Sequence, residues 1–340
     1  MYFVFFILII CTYLIWNNKN HKVVIYIFSF VVGLIYATRS ISVGNDTESY
    51  YLYYLTISNK YITNPLISFY EPIYHFIISN SPSFQFYLFV VSFLTVLMIS
   101  LTFKSKSNWL RAFLLLYFFG FFNVATDQSR QLLSLSVLIY FIKKLNYSKN
   151  IFSGILASFV HKSNLLIAPF VMIFNYLDKK NKTIPNYIYI VLLFISLYLG
   201  INKVLQNFVS SLLGIYIPGS IYVAEKFYLS NGGNDGFGLM YYRFVLVIIF
   251  LTLFFFKKKS IGFNIVFSGL IIQISSLGFM PLERIGFSLF FLGLVIIVND
   301  KTYLEFKKWK VYILYFYALI YFIQTNIMNI EKNGSVPWSF

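Results

Sequence analysis

Residues 39–72 read RSISVGNDTESYYLYYLTISNKYITNPLISFYEP. The stretch holds Arg39, the carboxylates Asp46 and Glu48, tyrosines at 50, 51, 53 and 54, and the closing pair Glu71-Pro72, with strongly apolar sequence on both sides. A long polar loop between hydrophobic spans is where a membrane protein keeps water, charge and a polar substrate. The composition supports this frame: of 340 residues, 59% are hydrophobic, 22% aromatic and only 11% charged, too apolar for a soluble domain. Apolar runs near spanning length recur from end to end, so the expected class is all-α, a polytopic helical membrane protein.

Working outward from the loop, apolar segments fall at 2–16, 23–38, 84–103, 109–126, 131–142, 150–161, 163–177, 187–201, 239–256, 260–279, 285–298 and 311–327. Alternate connections between them hold 18 of the 27 basic residues, and they start at Lys19, Lys104, Lys143, Lys179, Lys257 and Lys301. Lysine-rich loops mark the cytoplasmic face, which places both termini outside and gives about twelve crossings. The pattern requires residues 150–177 to turn back at His161-Lys162, where Ser163-Asn164 and Pro169 favour irregular helix. The expected organisation is one integral membrane domain over 1–340, with outer loops at 39–83 and 202–238. No basic region or small-residue cleavage site frames the first apolar run, so it reads as a retained span. The net charge of +16 reflects topology-setting lysines, not a nucleic-acid surface.

Arginine and lysine divide between the two faces. Arg39, Arg130, Arg243 and Arg284 fall on the outer side, together with Asp46, Glu48, Glu71, Asp127, Glu225, Asp235, Glu283 and Glu331. Asp127 precedes Arg130 by three residues, and Glu283 directly precedes Arg284, so these read as acid–arginine pairs. One reading makes them interfacial ion pairs that snorkel to the headgroups. The other makes them the lining of a functional cavity, since paired charge at membrane depth is expensive. Guanidinium is a planar fork that stays charged in low dielectric and matches a diphosphate.

His161 interrupts the hydrophobic hairpin on the outer side. It reads either as a structural residue bonded to a carbonyl at the kink or as a general base near neutrality. A single cysteine, Cys11, excludes intramolecular disulfides and a Cys-rich metal site, and no HExxH or histidine cluster points to zinc. No nucleotide-phosphate glycine motif is present; Gly232-Gly233-Asn234-Asp235-Gly236 reads as a hinge. In the second outer loop, residues 203–213 have amphipathic spacing suited to the membrane interface. Tyrosines there and at 50, 51, 53 and 54 suit either sugar stacking or an aromatic belt.

The order Arg39, Gly44, Asp46, Tyr50, Tyr54 and then Glu71 resembles the first outer loop of the EpsG-type, Wzy-like bacterial polysaccharide polymerases. Arg130-Gln131 opening a span, His161-Lys162-Ser163, Arg243 in a late span and Pro337-Trp338 near the end are similar to that family as well. The resemblance implies a multi-span glycosyltransferase of GT-C-like architecture in the bacterial cytoplasmic membrane. It implies transfer of a growing glycan (exopolysaccharide, capsule or O-antigen) from a polyprenyl diphosphate such as undecaprenyl diphosphate. The acceptor would be a sugar hydroxyl of another lipid-linked repeat unit.

That chemistry assigns expected roles to residues here. His161, Asp46 and Glu71 are candidate catalytic groups, and Arg39, Arg130, Arg243 and Arg284 candidate ligands of the diphosphate. Tyr50, Tyr54, Asp127, Gln131 and Glu283 are candidate sugar or loop contacts. No metal or cofactor is expected, and the expected partners are the lipid-linked donor and acceptor, membrane lipid, and a chain-length regulator and flippase of the same pathway. The competing expectations are an oligosaccharide ligase, with the same donor and a different acceptor, and a flippase or exporter. A transporter would need arginines along a path through the membrane; charge gathered on one face favours the transferase.

Overall fold

The computed structural model describes residues 2–17, 20–40, 47–58, 71–103, 105–122, 128–144, 150–180, 184–204, 207–208, 243–249, 251, 260–276, 280–299 and 308–323. Among these residues all regular structure is helical. In chain order the helices are α1 (Tyr2–Ile15), α2 (His21–Ala37), α3 (Thr47–Ser58), α4 (Pro72–Ser79), α5 (Phe84–Leu101), α6 (Lys106–Phe118) and α7 (Ser129–Lys144). They continue with α8 (Asn150–Ser158), α9 (Asn164–Lys179), α10 (Asn186–Ile201), α11 (Ile261–Ser275), α12 (Met280–Asn299) and α13 (Lys308–Phe322). Residues 243–249 are also helical. The segment 209–242, with most of the second outer loop, lies outside the described residues, as do Gly44, Asp46, Asp127, Lys257 to Lys259 and Pro337-Trp338.

The helix surfaces explain the composition. Along α10 the exposed side chains are Tyr187, Ile190, Val191, Leu192, Phe194, Ile195, Tyr198 and Ile201; along α2 they include Val23, Tyr26, Ile27, Phe30 and Leu34. A water-facing helix would place charge on these positions. Polar side chains are instead turned inward: Ser29, Thr95, Ser134, Asn164, Asn264 and Gln273 are buried. Contiguous apolar faces of this extent suit hydrocarbon, not water. Phe84–Leu101 and Leu282–Asn299 are each long and apolar enough to cross a bilayer; α1, α2, α7, α9, α10, α11 and α13 contain shorter apolar stretches.

Two expectations are refined. The polar loop 39–83 contains helix, α3 and α4. The hairpin at His161 turns where the sequence places it, over residues 159–163, but α8 has only nine residues. At 1.5 Å per residue it extends about 14 Å, half of a typical ~30 Å hydrocarbon core.

The chain divides into two compact units, one of Met1–Met172 with Tyr315–Phe340, the other of Ile173–Leu314. In the first, α2 packs on α5, α5 on α7 and α7 on α8, with α1 against α2 and α6. Aromatic packing fills one region, where Trp109 stacks on Phe113 and meets Phe28 edge-on.

In the second unit α11 and α12 lie backbone to backbone along a glycine seam. Gly262 and Gly269 of α11 face Gly293 and Gly286 of α12, each pair seven residues apart. A Cβ on Gly269 would stand 2.6 Å from the Phe290 nitrogen and 2.7 Å from the Gly286 oxygen, so only glycine permits this approach. Tyr189 of α10 donates its hydroxyl to the Asn264 side chain of α11, tying a third helix to the pair.

Candidate functional site

At one end of the first unit, five segments bring charge together: the end of α2, the start of α4, the starts of α5 and α7, and the turn between α8 and α9. Pro72 opens α4, where its fixed φ suits the first helical position and its missing N–H loses nothing. Glu71, just before it, makes no side-chain capping bond to its own helix. Its carboxylate turns across the bundle instead. One oxygen, Oε2, accepts from Arg130 Nη1 at 2.9 Å, and the other, Oε1, meets His161 Nδ1 at 2.6 Å and the Lys162 amide at 3.4 Å. Glu71, 59 residues from Arg130 and 90 from His161, is the common partner of both.

The backbone fixes this arrangement. The Ile73 amide in the first turn of α4 donates to the Phe159 carbonyl at the end of α8, 3.1 Å away. Each group would otherwise be an orphan of its helix terminus. Behind the turn, Ser134 of α7 donates to the Ala157 carbonyl and accepts from the Asn164 side chain. Both residues are wholly buried, so His161 stands on a corner braced from below.

Tyrosines enclose the arginine. The Arg130 guanidinium lies 4.9 Å from the Tyr74 ring centroid and 5.3 Å from that of Tyr50. Tyr53 stacks on Tyr74, and its hydroxyl meets His75 Nδ1 at 3.1 Å. Tyr87 Oη stands 3.4 Å from both the Tyr74 hydroxyl and Ser129 Oγ. Arg39 is buried beside the Tyr36 ring, and both Arg39 and Arg130 act electrostatically on Tyr87.

Burial alone would raise the Glu71 carboxyl. The His161 hydrogen bond, the Arg130 charge and the Lys162 amide oppose it, and the group is held below its ordinary value. Burial pushes the Tyr53 phenol up. Glu71 is thus an anchored anion. His161 offers its opposite ring edge: if Nδ1–H donates to Glu71, Nε2 carries the lone pair and accepts a proton. Among the described residues, no group of three or more His, Cys, Asp or Glu side chains is placed to hold a metal ion.

Arg130 bonds Glu71, a partner the sequence does not suggest; Asp127, expected beside it, lies outside the described residues, as does Asp46. One sequence-based pairing is corrected. Glu283 bonds Arg243, 40 residues earlier, at 3.3 Å. Neighbouring helical residues project about 100° apart, so adjacency of Glu283 and Arg284 in α12 does not make them face each other. His161 bonds a carboxylate, not the carbonyl considered for a structural role.

Tyr50 joins the cluster, while Tyr54 spends its hydroxyl on the Ser81 carbonyl, 3.3 Å away, tying α3 to the turn before α5. Gln131 is buried at the start of α7, and Arg284 is half-buried at the start of α12. Sequence reading missed Tyr74, Tyr87 and Ser134, and it used Asn164 only as a sign of irregular helix at the turn. Their only signal is a polar atom inside an apolar run.

Comparison with curated proteins and with solved structures gives no match. The EpsG family model does match, over residues 22–340, a span that takes in both units and every residue of the Glu71 cluster. The chain therefore belongs to the EpsG family, and it is a membrane protein of polysaccharide biosynthesis.

Proposed function

We propose that the protein is a polysaccharide polymerase acting on the outer face of the bacterial cytoplasmic membrane, with lipid-linked repeat units as donor and acceptor. The observation that carries this is the Glu71 carboxylate held between Arg130 and His161, buried at one end of an apolar bundle beside four tyrosines. In this reading Glu71 stays ionised and orients His161, as a carboxylate orients the histidine of a catalytic triad. The acceptor sugar's hydroxyl gives its proton to His161 Nε2 while its oxygen bonds to the donor's anomeric carbon. The bond from that carbon to the diphosphate oxygen breaks, and the polyprenyl diphosphate leaves with the electron pair. Charge develops on that oxygen, and fixed guanidinium groups near the site, Arg39 and Arg130, oppose it best where water is excluded. Tyrosine faces suit the sugar rings.

The test is reconstitution of the purified protein in liposomes with lipid-linked single repeat units. A ladder of lipid-linked oligomers, absent with His161→Ala, supports the polymerase. Transfer only to an acceptor without lipid would make it a ligase. Units that cross the bilayer with no new glycosidic bond would make it a transporter.

A further inference from the structure

Two imidazoles stand at the Glu71 end of the first unit, and the chemistry above uses only His161. His75 lies one turn of α4 beyond Glu71, about 6 Å along the axis, and its amide donates to the Glu71 carbonyl. Its ring Nδ1 is 3.1 Å from the Tyr53 phenol oxygen. Nε2 has no partner among the described residues. The ring is half-buried, on a helix that exposes Ile73 and Phe76 on either side of it. Tyr53 stacks on Tyr74 with centroids 5.9 Å apart, and its phenol feels the charges of both Arg130 and Glu71. The Tyr53–His75 pair therefore belongs to the same end of the bundle as the Glu71 cluster.

The partner of each ring decides which nitrogen carries the proton. An ionised Glu71 can only accept, so it takes Nδ1–H of His161 and leaves a lone pair on Nε2. Tyr53 does the opposite. A phenol is a far stronger acid than a neutral imidazole N–H, and an imidazole nitrogen is a better base than a phenol oxygen. Tyr53 thus donates to Nδ1 of His75, and the ring's own proton sits on Nε2. One free imidazole edge accepts and the other donates. We propose that His75 is a specificity-determining residue of this site, its Nε2–H donating to an oxygen of a neutral sugar, with Tyr53 as the residue that positions it. Resting on the reading above, that sugar belongs to the lipid-linked repeat unit whose reacting hydroxyl faces His161. A neutral donor beside tyrosine rings suits a carbohydrate. A phosphate would be met better by a guanidinium, and that of Arg130 is engaged by Glu71 at 2.9 Å.

The chain has 3 histidines, so their ring nitrogens can be read one by one. Full-length protein carrying isotope-labelled histidine is reconstituted in liposomes and examined by solid-state NMR, each ring assigned by its loss in a His→Gln variant. His75 should be bare at Nδ1 and protonated at Nε2, and Tyr53→Phe should disturb that balance. Repeat-unit oligosaccharide freed from its lipid should then move the His75 Nε2 signal. Kinetics in the same liposomes separate the two nitrogens. His75→Asn keeps an oxygen for Tyr53 but lacks the outward donor, so the apparent KM for lipid-linked units should rise about fivefold, the worth of one hydrogen bond, with a smaller change in kcat. His75→Gln sets an amide N–H at the Nε2 position and should recover most of the loss. The reverse order, with asparagine active and glutamine impaired, would mean that His75 merely holds Tyr53 and would overturn the proposal. A His75 ring protonated at Nδ1 would overturn it too. A His75 signal that moves with the oligosaccharide in a protein that forms no glycosidic bond would refute the polymerase reading alone. A working polymerase whose His75 ring ignores the sugar would refute this site alone.

Discussion

Replacing Glu71 by glutamine tests the core of the site, because shape is kept while one charge is lost. The Glu71 side chain is 6% exposed and that of Arg130 30%, so the pair is mostly removed from water. Removing one partner of a buried pair typically costs about 3–5 kcal/mol, since the survivor keeps its desolvation penalty. Arg130 retains some solvent and two tyrosine faces, which offset about 1 kcal/mol. A loss of about 2–4 kcal/mol is expected. The chemical effect is sharper. If the amide oxygen serves Arg130, the amide nitrogen faces His161 Nδ1, which must then accept. The ring proton moves to Nε2, and the lone pair needed for the acceptor hydroxyl is gone. Transfer should fall by about 10²–10⁴-fold, the scale of a positioned base. The assay is oligomer formation from lipid-linked units in liposomes, at protein levels matched by fluorescence-detected gel filtration. A folded Glu71→Gln protein within about threefold of wild-type rate would end the case for a carboxylate-oriented histidine.

Four other outcomes follow from the same geometry. Because the folded Glu71 carboxyl lies below its ordinary value of 4.5, its stabilisation is full above that value and is lost as pH falls through the folded value. Melting curves of wild type and Glu71→Gln should therefore converge in acid; curves that stay parallel from neutral to acid pH would contradict the ion pair. His161→Gln can still donate to Glu71 but takes no proton, so it should match His161→Ala in lost transfer; an active glutamine variant would make His161 structural. Gly269→Ala would press a methyl onto the Phe290 and Gly286 backbones and should lower stability by about 1–3 kcal/mol, read by thermal denaturation; an unchanged melting point would deny the close seam. In a Cys11→Ser background, chosen because Cys11 is exposed, an impermeant thiol reagent on intact cells should label Asn333→Cys and not Asn181→Cys; the reverse result overturns the topology.

The sequence carries the class of fold clearly and the wiring of the site only in part. Apolar runs locate most helices within a few residues, because lipid-facing and core-facing positions are both hydrophobic and leave long unbroken segments. Glu71, Arg130 and His161 stand out as charge or imidazole where charge is rare. Their mutual partnership is not legible, since partners 59 and 90 residues apart are chosen by how α4, α7 and the α8–α9 turn converge. The eye pairs Glu283 with Arg284 by adjacency along the chain, whereas Glu283 is bonded by Arg243, 40 residues earlier. Helix in the polar loop escapes notice because α3 lacks a clear apolar stripe and α4 has only eight residues. The seven-residue glycine spacing of α11 and α12 is visible in the sequence, and its meaning appears once the two helices are seen to run backbone to backbone.

The bond from the Ile73 amide to the Phe159 carbonyl bears on how this family could be re-engineered. The first polar loop looks like a portable module, a stretch to exchange between relatives so that one scaffold polymerises another's repeat unit. Yet the first turn of its α4 is spliced, end to end, onto a helix nearly ninety residues downstream, and its glutamate is read by the corner that follows. A transplant cut at the loop's own boundaries would deliver Glu71 to a foreign socket. The heritable unit is a composite: the loop, the first two turns of α7 through Ser134, and residues 157–164. Chimaeras that carry all three pieces should fold with the donor's specificity, and those that carry the loop alone should not.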